Sequence, residues 1–229
     1  MPHTTCLLPT AVAVLLLVAA PPHARAADDF SAAERALFVS KQLGSVHPPQ
    51  TLHYRYRKSG SLEAGFDDAV AVVFGARADR SCCTASAEFL SGPRRLALPE
   101  VESAEGNPVL LYFLERDIRE MSRLTKGQSA YFRKRIRMAI YQGAQMRELS
   151  LPYAGATVAA RQIMVAPYLD DPLRARFEKL ATKRYVFTLS DAVPGTVYAI
   201  SARVDGADES PLLAEEIVLE GASPPPRFP

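Results

Sequence analysis

The spacing of apolar residues changes twice along this chain, from every second residue to every third or fourth and back again. That order excludes an all-helical or an all-strand fold. From Thr51, Leu52, Tyr54 and Tyr56 alternate with His53, Arg55 and Arg57, the pattern of a strand with one buried face. A strand apolar on both sides follows from Asp68 to Ala76, then an alternating segment around Cys82 and Cys83. After the Gly92-Pro93 turn a short fourth strand is predicted from Arg94 to Leu98. Tight connections make these four an antiparallel meander.

Helical spacing then takes over. Asn107 stands as an N-cap with Pro108 at the first helical position, and Leu111, Leu114, Ile118 and Met121 share one face. Glu115 with Arg119 and Arg116 with Glu120 read as i,i+4 pairs on the exposed side. Gly127 stops this helix, and a second runs from Ser129 to Gln142 with Phe132, Ile136 and Ile140 at intervals of four. Two amphipathic helices joined so closely form a hairpin, whose apolar stripes need a sheet to cover. After Pro152 the two-residue period returns in Thr157–Val165, Lys183–Leu189, Thr196–Val204 and Leu212–Leu219, with a short helix opened by Asp171-Pro172.

The fold expected is α+β, an about eight-stranded, strongly curved antiparallel sheet covered by the inserted helical hairpin. One globular domain spans residues 27–222. It begins with a helix over 27–45, marked by the Ser31-x-x-Glu34 capping pattern and ended by His47-Pro48-Pro49. Residues 223–229 carry four prolines and are expected to be an extended, mobile tail.

Residues 1–26 read as a signal peptide. The apolar run from Ala11 to Ala20 is too short to span a membrane, which takes about 20 residues, and Ala24-Arg25-Ala26 has the small-x-small form of a cleavage site. Cleavage near Ala26 would leave a periplasmic chain of 203 residues with a net charge of +1 and no transmembrane segment. So even a balance argues against a nucleic-acid partner, which needs a marked excess of Lys and Arg.

Cys6 lies in the leader, so Cys82 and Cys83 are the only later cysteines. On a strand their side chains point to opposite faces, giving one buried and one outward thiol. The alternatives are a vicinal redox pair or an intermolecular disulfide. Only His47 and His53 could join them, too few soft ligands for a metal site. No cofactor motif is present, nor any nucleophile elbow or metal-binding helix. Catalysis would have to gather His53 with Asp67 or Asp68, a hydrolase arrangement the pattern permits without favouring. A non-enzymatic protein is expected.

Two binding modes follow. An apolar or lipid-like molecule could lie beneath the hairpin, lined by Leu111, Leu114, Ile118, Phe132, Ile136 and Ile140. Alternatively, a solid core would make the chain an interaction module for another envelope protein. In that case Arg133, Lys134, Arg135 and Arg137 could hold an anionic partner or lipid phosphates. Pairing of those cations with Glu115, Asp117 and Glu120 across the hairpin would neutralise them instead.

Gly106-Asn107-Pro108, Phe113-Leu114-Glu115-Arg116-Asp117, Leu124-Thr125-Lys126-Gly127 and Tyr131-Phe132-Arg133, preceded by Leu52-His53-Tyr54 and Gly60-Ser61-Leu62-Glu63, carry a resemblance. The chain is similar to a group of uncharacterised exported proteins of Gram-negative bacteria, over about two-thirds of its length beyond the leader. In layout alone it is also similar to the periplasmic lipoprotein-carrier fold. The first resemblance implies export, and the second a binding role.

Overall fold

The computed structural model describes Met1 and residues 30–79, 81–208 and 210–229. The expected signal peptide therefore lies outside the described residues. Eight antiparallel strands form one sheet: β1 (Gln50–Ser59), β2 (Phe66–Ala76), β3 (Cys82–Phe89), β4 (Gln145–Tyr153), β5 (Ala156–Val165), β6 (Arg184–Leu189), β7 (Val197–Asp205) and β8 (Pro211–Leu219). Their order is β3-β2-β1-β8-β7-β6-β5-β4, two meanders joined where the first strand pairs with the last. The outer strands β3 and β4 do not pair with each other, so the sheet is open.

Between β3 and β4 run α2 (Val109–Thr125) and α3 (Ser129–Gln142), preceded in the chain by the short α1 (Ala32–Glu34). The helices cover one face of the sheet. Leu52, Tyr54 and Tyr56 of β1, Leu213 and Ile217 of β8, Tyr185 and Phe187 of β6 and Ile163 of β5 are buried there. Burying such side chains fully stabilises by roughly 1.5–3 kcal/mol each, which is what holds the hairpin down.

The α+β class, the strand number and the inserted hairpin match the expectation, with local corrections. Residues 94–98 form no strand; a 3-10 turn at Gly92–Arg94 is followed by a single bridge from Leu96 to Phe89. The eighth strand is β4, which the polar run Gln145, Arg147, Glu148 and Ser150 and the proline Pro152 concealed. An edge strand tolerates a proline because its N–H need not join a ladder. The first helix is also shorter than predicted. Ser31 and Glu34 make the capping box, but the turn widens into a π-helix at Arg35–Val39 and stops at the extended Ser40.

At the other end, the tail is extended but held along the face of the sheet opposite the helices. Arg147 donates to the Arg227 carbonyl at 2.7 Å and Gln162 to the Pro226 carbonyl at 3.1 Å. The register of β4 and β5 brings these two donors side by side.

Candidate functional site

Polar residues interrupt the apolar face at one end of the sheet. Pairing places Tyr185 opposite Ala202, Ala202 opposite Glu215, Glu215 opposite Lys58 and Lys58 opposite Phe66. This transverse row crosses β6, β7, β8, β1 and β2 on the helix side, with Tyr185, Glu215 and Lys58 all buried. Above it, α2 presents Arg116, Asp117, Glu120 and Arg123.

Two linked networks result. Asp117 is ion-paired with Lys183 and accepts a hydrogen bond from the Tyr185 hydroxyl, which in turn lies 3.3 Å from that of Tyr168. Burial, reinforced by the Asp117 charge, pushes the Tyr185 hydroxyl well above its usual range, so it stays a neutral donor. Beside it, Arg116 is ion-paired with Glu215, and its guanidinium lies 5.1 Å from the Tyr56 ring centre. Lys58 reaches Glu63 at 2.6 Å, Glu215 at 3.7 Å and Glu120 at 3.9 Å. Arg123 bridges Glu63 and Glu120.

The residue spacing puts Arg116 on the exposed side of its helix and Asp117 toward the basic run across the hairpin. Instead α2 is rotated so that Leu110, Phe113, Asp117 and Met121 point inward, and Leu111 is 58% exposed. The sequence pattern of one helix cannot reveal that the sheet beneath supplies Lys183, Tyr185 and Glu215 as partners. Leu114, Ile118, Phe132, Ile136 and Ile140 are buried. Phe132 is enclosed by Tyr131, Tyr168 and Phe177 at ring separations of 5.5–6.0 Å, so these side chains act as core.

A groove of about 310 Å³ opens instead at the edge of the sandwich, between α2 and the end of β1–β3. Phe66, Leu90, Pro93 and Leu96 give it an apolar lining; Lys58, Arg94, Arg116 and Arg119 face it with Glu120 as the only acid. Arg94 lies over the Phe66 ring at 4.4 Å and is tethered by its Nε to Asp68 at 3.1 Å. Burial raises the Asp68 carboxyl, but hydrogen bonds from Ala69, Ser91 and Arg94 outweigh it and hold the group below its usual range. Arg119 engages Glu115 through Nε at 3.3 Å. Among the described residues, the terminal guanidinium nitrogens of Arg94 and Arg119 have no hydrogen-bond partner. Tyr56 lies behind Arg116, stacked on Phe66 at 5.4 Å, with a buried hydroxyl that likewise has none.

The basic run on α3 is dispersed. Arg133 pairs with Glu115 at 2.8 Å, and Arg135 with Asp171 at 2.6 Å and the Pro167 carbonyl, leaving Lys134 and Arg137 exposed and unpaired among the described residues. Helical geometry sets successive side chains about 100° apart, and this divides the four.

Cys82 and Cys83 bring their sulfurs together as a vicinal pair rather than pointing apart. The alternation fails there because of a bulge: Gly75 pairs with Thr84, but Ala76 pairs with Cys82, leaving Cys83 extra. His53 is exposed opposite Ala71; Asp67 is on the same face but four pairs along, opposite Arg57, and Asp68 is on the other face, opposite Tyr56. The structure does not bring the histidine and either acid together.

Among the described residues, no helix is long and apolar enough to cross a membrane. The crystal structure of the Mycobacterium tuberculosis lipoprotein LppX is similar with a TM-score of 0.33 and 9% identity, over 79% of this chain and 90% of that one. At that score the likeness carries no argument about ligand or activity. No protein-family model and no curated protein matches the chain. The resemblance to exported proteins of Gram-negative bacteria thus rests on the motifs quoted above.

Proposed function

We propose that this chain is a non-enzymatic, exported binding protein for an amphipathic, lipid-like molecule with an anionic head, taken into the groove between α2 and the end of β1–β3. The observation that carries this reading is the meeting of an apolar lining, Phe66, Leu90 and Leu96, with Arg94 and Arg119, whose terminal nitrogens are uncommitted among the described residues. A carboxylate or phosphate head can accept from those guanidinium groups in a bidentate manner, while the first carbons of its chain lie against Pro93, Leu96 and the edge of the Phe66 ring. A groove of about 310 Å³ stands at the small end of ligand sites, which suits a head group and the start of one chain rather than a whole phospholipid. The leader at residues 1–26 supports a periplasmic location after cleavage near Ala26.

Native mass spectrometry of protein purified from a periplasmic extract, followed by lipid extraction, tests the reading. A bound acidic amphiphile is expected, lost in Arg94→Glu/Arg119→Glu. A clean mass that remains unchanged after incubation with dodecanoate would overturn it.

A further inference from the structure

The face of the sheet opposite the helices carries a second groove, of about 620 Å³, between that surface and the C-terminal residues. Its central feature is Gln162 of β5, a polar side chain only 1% exposed. The Gln162 oxygen accepts from Arg147 Nε at 2.8 Å. Its nitrogen approaches Thr188 Oγ1 at 3.3 Å and donates to the Pro226 carbonyl at 3.1 Å. Arg147, the cross-strand neighbour of Gln162, donates to the Arg227 carbonyl, and its guanidinium lies 5.0 Å from the Phe228 ring centre. Gln162 and Arg147 thus present side-chain donors to consecutive backbone carbonyls, which matches this surface to an extended segment.

The segment present fits that chemistry. Consecutive prolines keep the backbone extended before binding, offer carbonyls without competing N–H groups, and so lose little freedom on docking. It nevertheless fills its site poorly. Of residues 223–229 only Pro225 and Phe228 are even half-buried. Arg57, Met164, Val186 and Arg184 line the same groove as the tail, and about 620 Å³ of it stays open. A tail gripped mainly by Arg147 and Gln162 can be displaced by a segment that repeats those contacts and covers more of the floor.

We propose that this outer groove is a recognition site for an extended, proline-containing segment of another protein, and that residues 223–229 occupy it in cis. The site lies on the face opposite the α2 groove and does not depend on the ligand proposed there.

The test uses the full chain carrying Pro224→Ser/Pro226→Ser/Phe228→Ser, which keeps the tail's length and carbonyls but removes its preset extended backbone and the ring beside Arg147. Titrating it calorimetrically with a synthetic peptide of residues 223–229 should give saturable binding, at least tenfold tighter than to the wild type. Adding Arg147→Ala to the variant should weaken binding at least tenfold without changing its far-ultraviolet circular dichroism. Equal binding by variant and wild type, or no binding by either, would overturn the proposal. So would a wild-type dimer in sedimentation that the tail substitutions dissociate, because the occupant would then be the tail of a second copy.

Discussion

Lys183 and Asp117 form an ion pair from which solvent is excluded, their side chains being 0% and 1% exposed. The pair joins the start of β6 to the middle of α2, and Tyr185 supplies a third buried partner. Removing one member strands a charge in the interior. Lys183→Met is expected to lower stability by about 3–5 kcal/mol, and Lys183→Met/Asp117→Leu to recover most of that. Denaturant midpoints for the two singles and the double decide it; a double as unstable as the sum of the singles would contradict the coupling.

Asn107 ties the entry of α2 to the sheet. Its side chain accepts from the Val109 N–H at 3.1 Å and donates to the Tyr54 hydroxyl at 2.9 Å and the Gly195 carbonyl at 3.0 Å. Asn107→Ala should cost about 1–3 kcal/mol by leaving buried groups unpaired. Gly195 approaches the same side chain with φ +68°, and a Cβ there would lie 2.7 Å from both Asn107 Nδ2 and Leu52 Cδ1. Gly195→Ala should therefore also lower the melting temperature.

Acid should loosen the β1–β2 turn from α2. Burial pushes Glu63 up, but its bonds to Lys58 and Arg123 outweigh that and hold it below the usual carboxylate range. Between the folded and unfolded values the unfolded chain binds more protons, so stability rises with pH. The contribution is complete above the unfolded value of about 4.3 and is lost as pH falls through the folded one. Glu63→Gln should flatten the stability profile below about pH 4.3, read from urea unfolding at a series of pH values.

Much of this fold was legible from residue spacing because strands with one buried face and helices with one apolar stripe leave simple periods. The Tyr54–Tyr56 strand and the Phe132–Ile136–Ile140 stripe are of that kind. The site was less legible. Arg116 and Asp117 look like surface residues until Glu215 and Lys183, 99 and 66 residues away along the chain, are brought beneath them. The signal that could have pointed to it is the period itself: Lys58 and Glu215 occupy inward positions of strands whose other buried inward residues are apolar. Periodicity likewise could not see the bulge at Ala76 that brings Cys82 and Cys83 together.

On α3, the four cations should behave unequally. Arg135→Ala removes the cation paired with the buried Asp171 carboxylate, leaving it only the Tyr131 hydroxyl and the Leu173 N–H, and should destabilise clearly. Lys134→Ala and Arg137→Ala, at exposed positions, should stay within about 0.5 kcal/mol of the wild type. Thermal melts of the three variants compare them directly, and equal losses would contradict this division of roles.

The most direct test of the proposed function is a titration of the isotope-labelled protein with dodecanoate, followed by amide and arginine side-chain resonances. Binding in the α2 groove predicts saturable shifts centred on Phe66, Leu90, Leu96 and the Arg94 and Arg119 guanidinium groups, absent in Arg94→Glu/Arg119→Glu. Shifts centred on Phe132, Ile136 and Ile140 beneath the hairpin, or no saturable shifts at all, would contradict it.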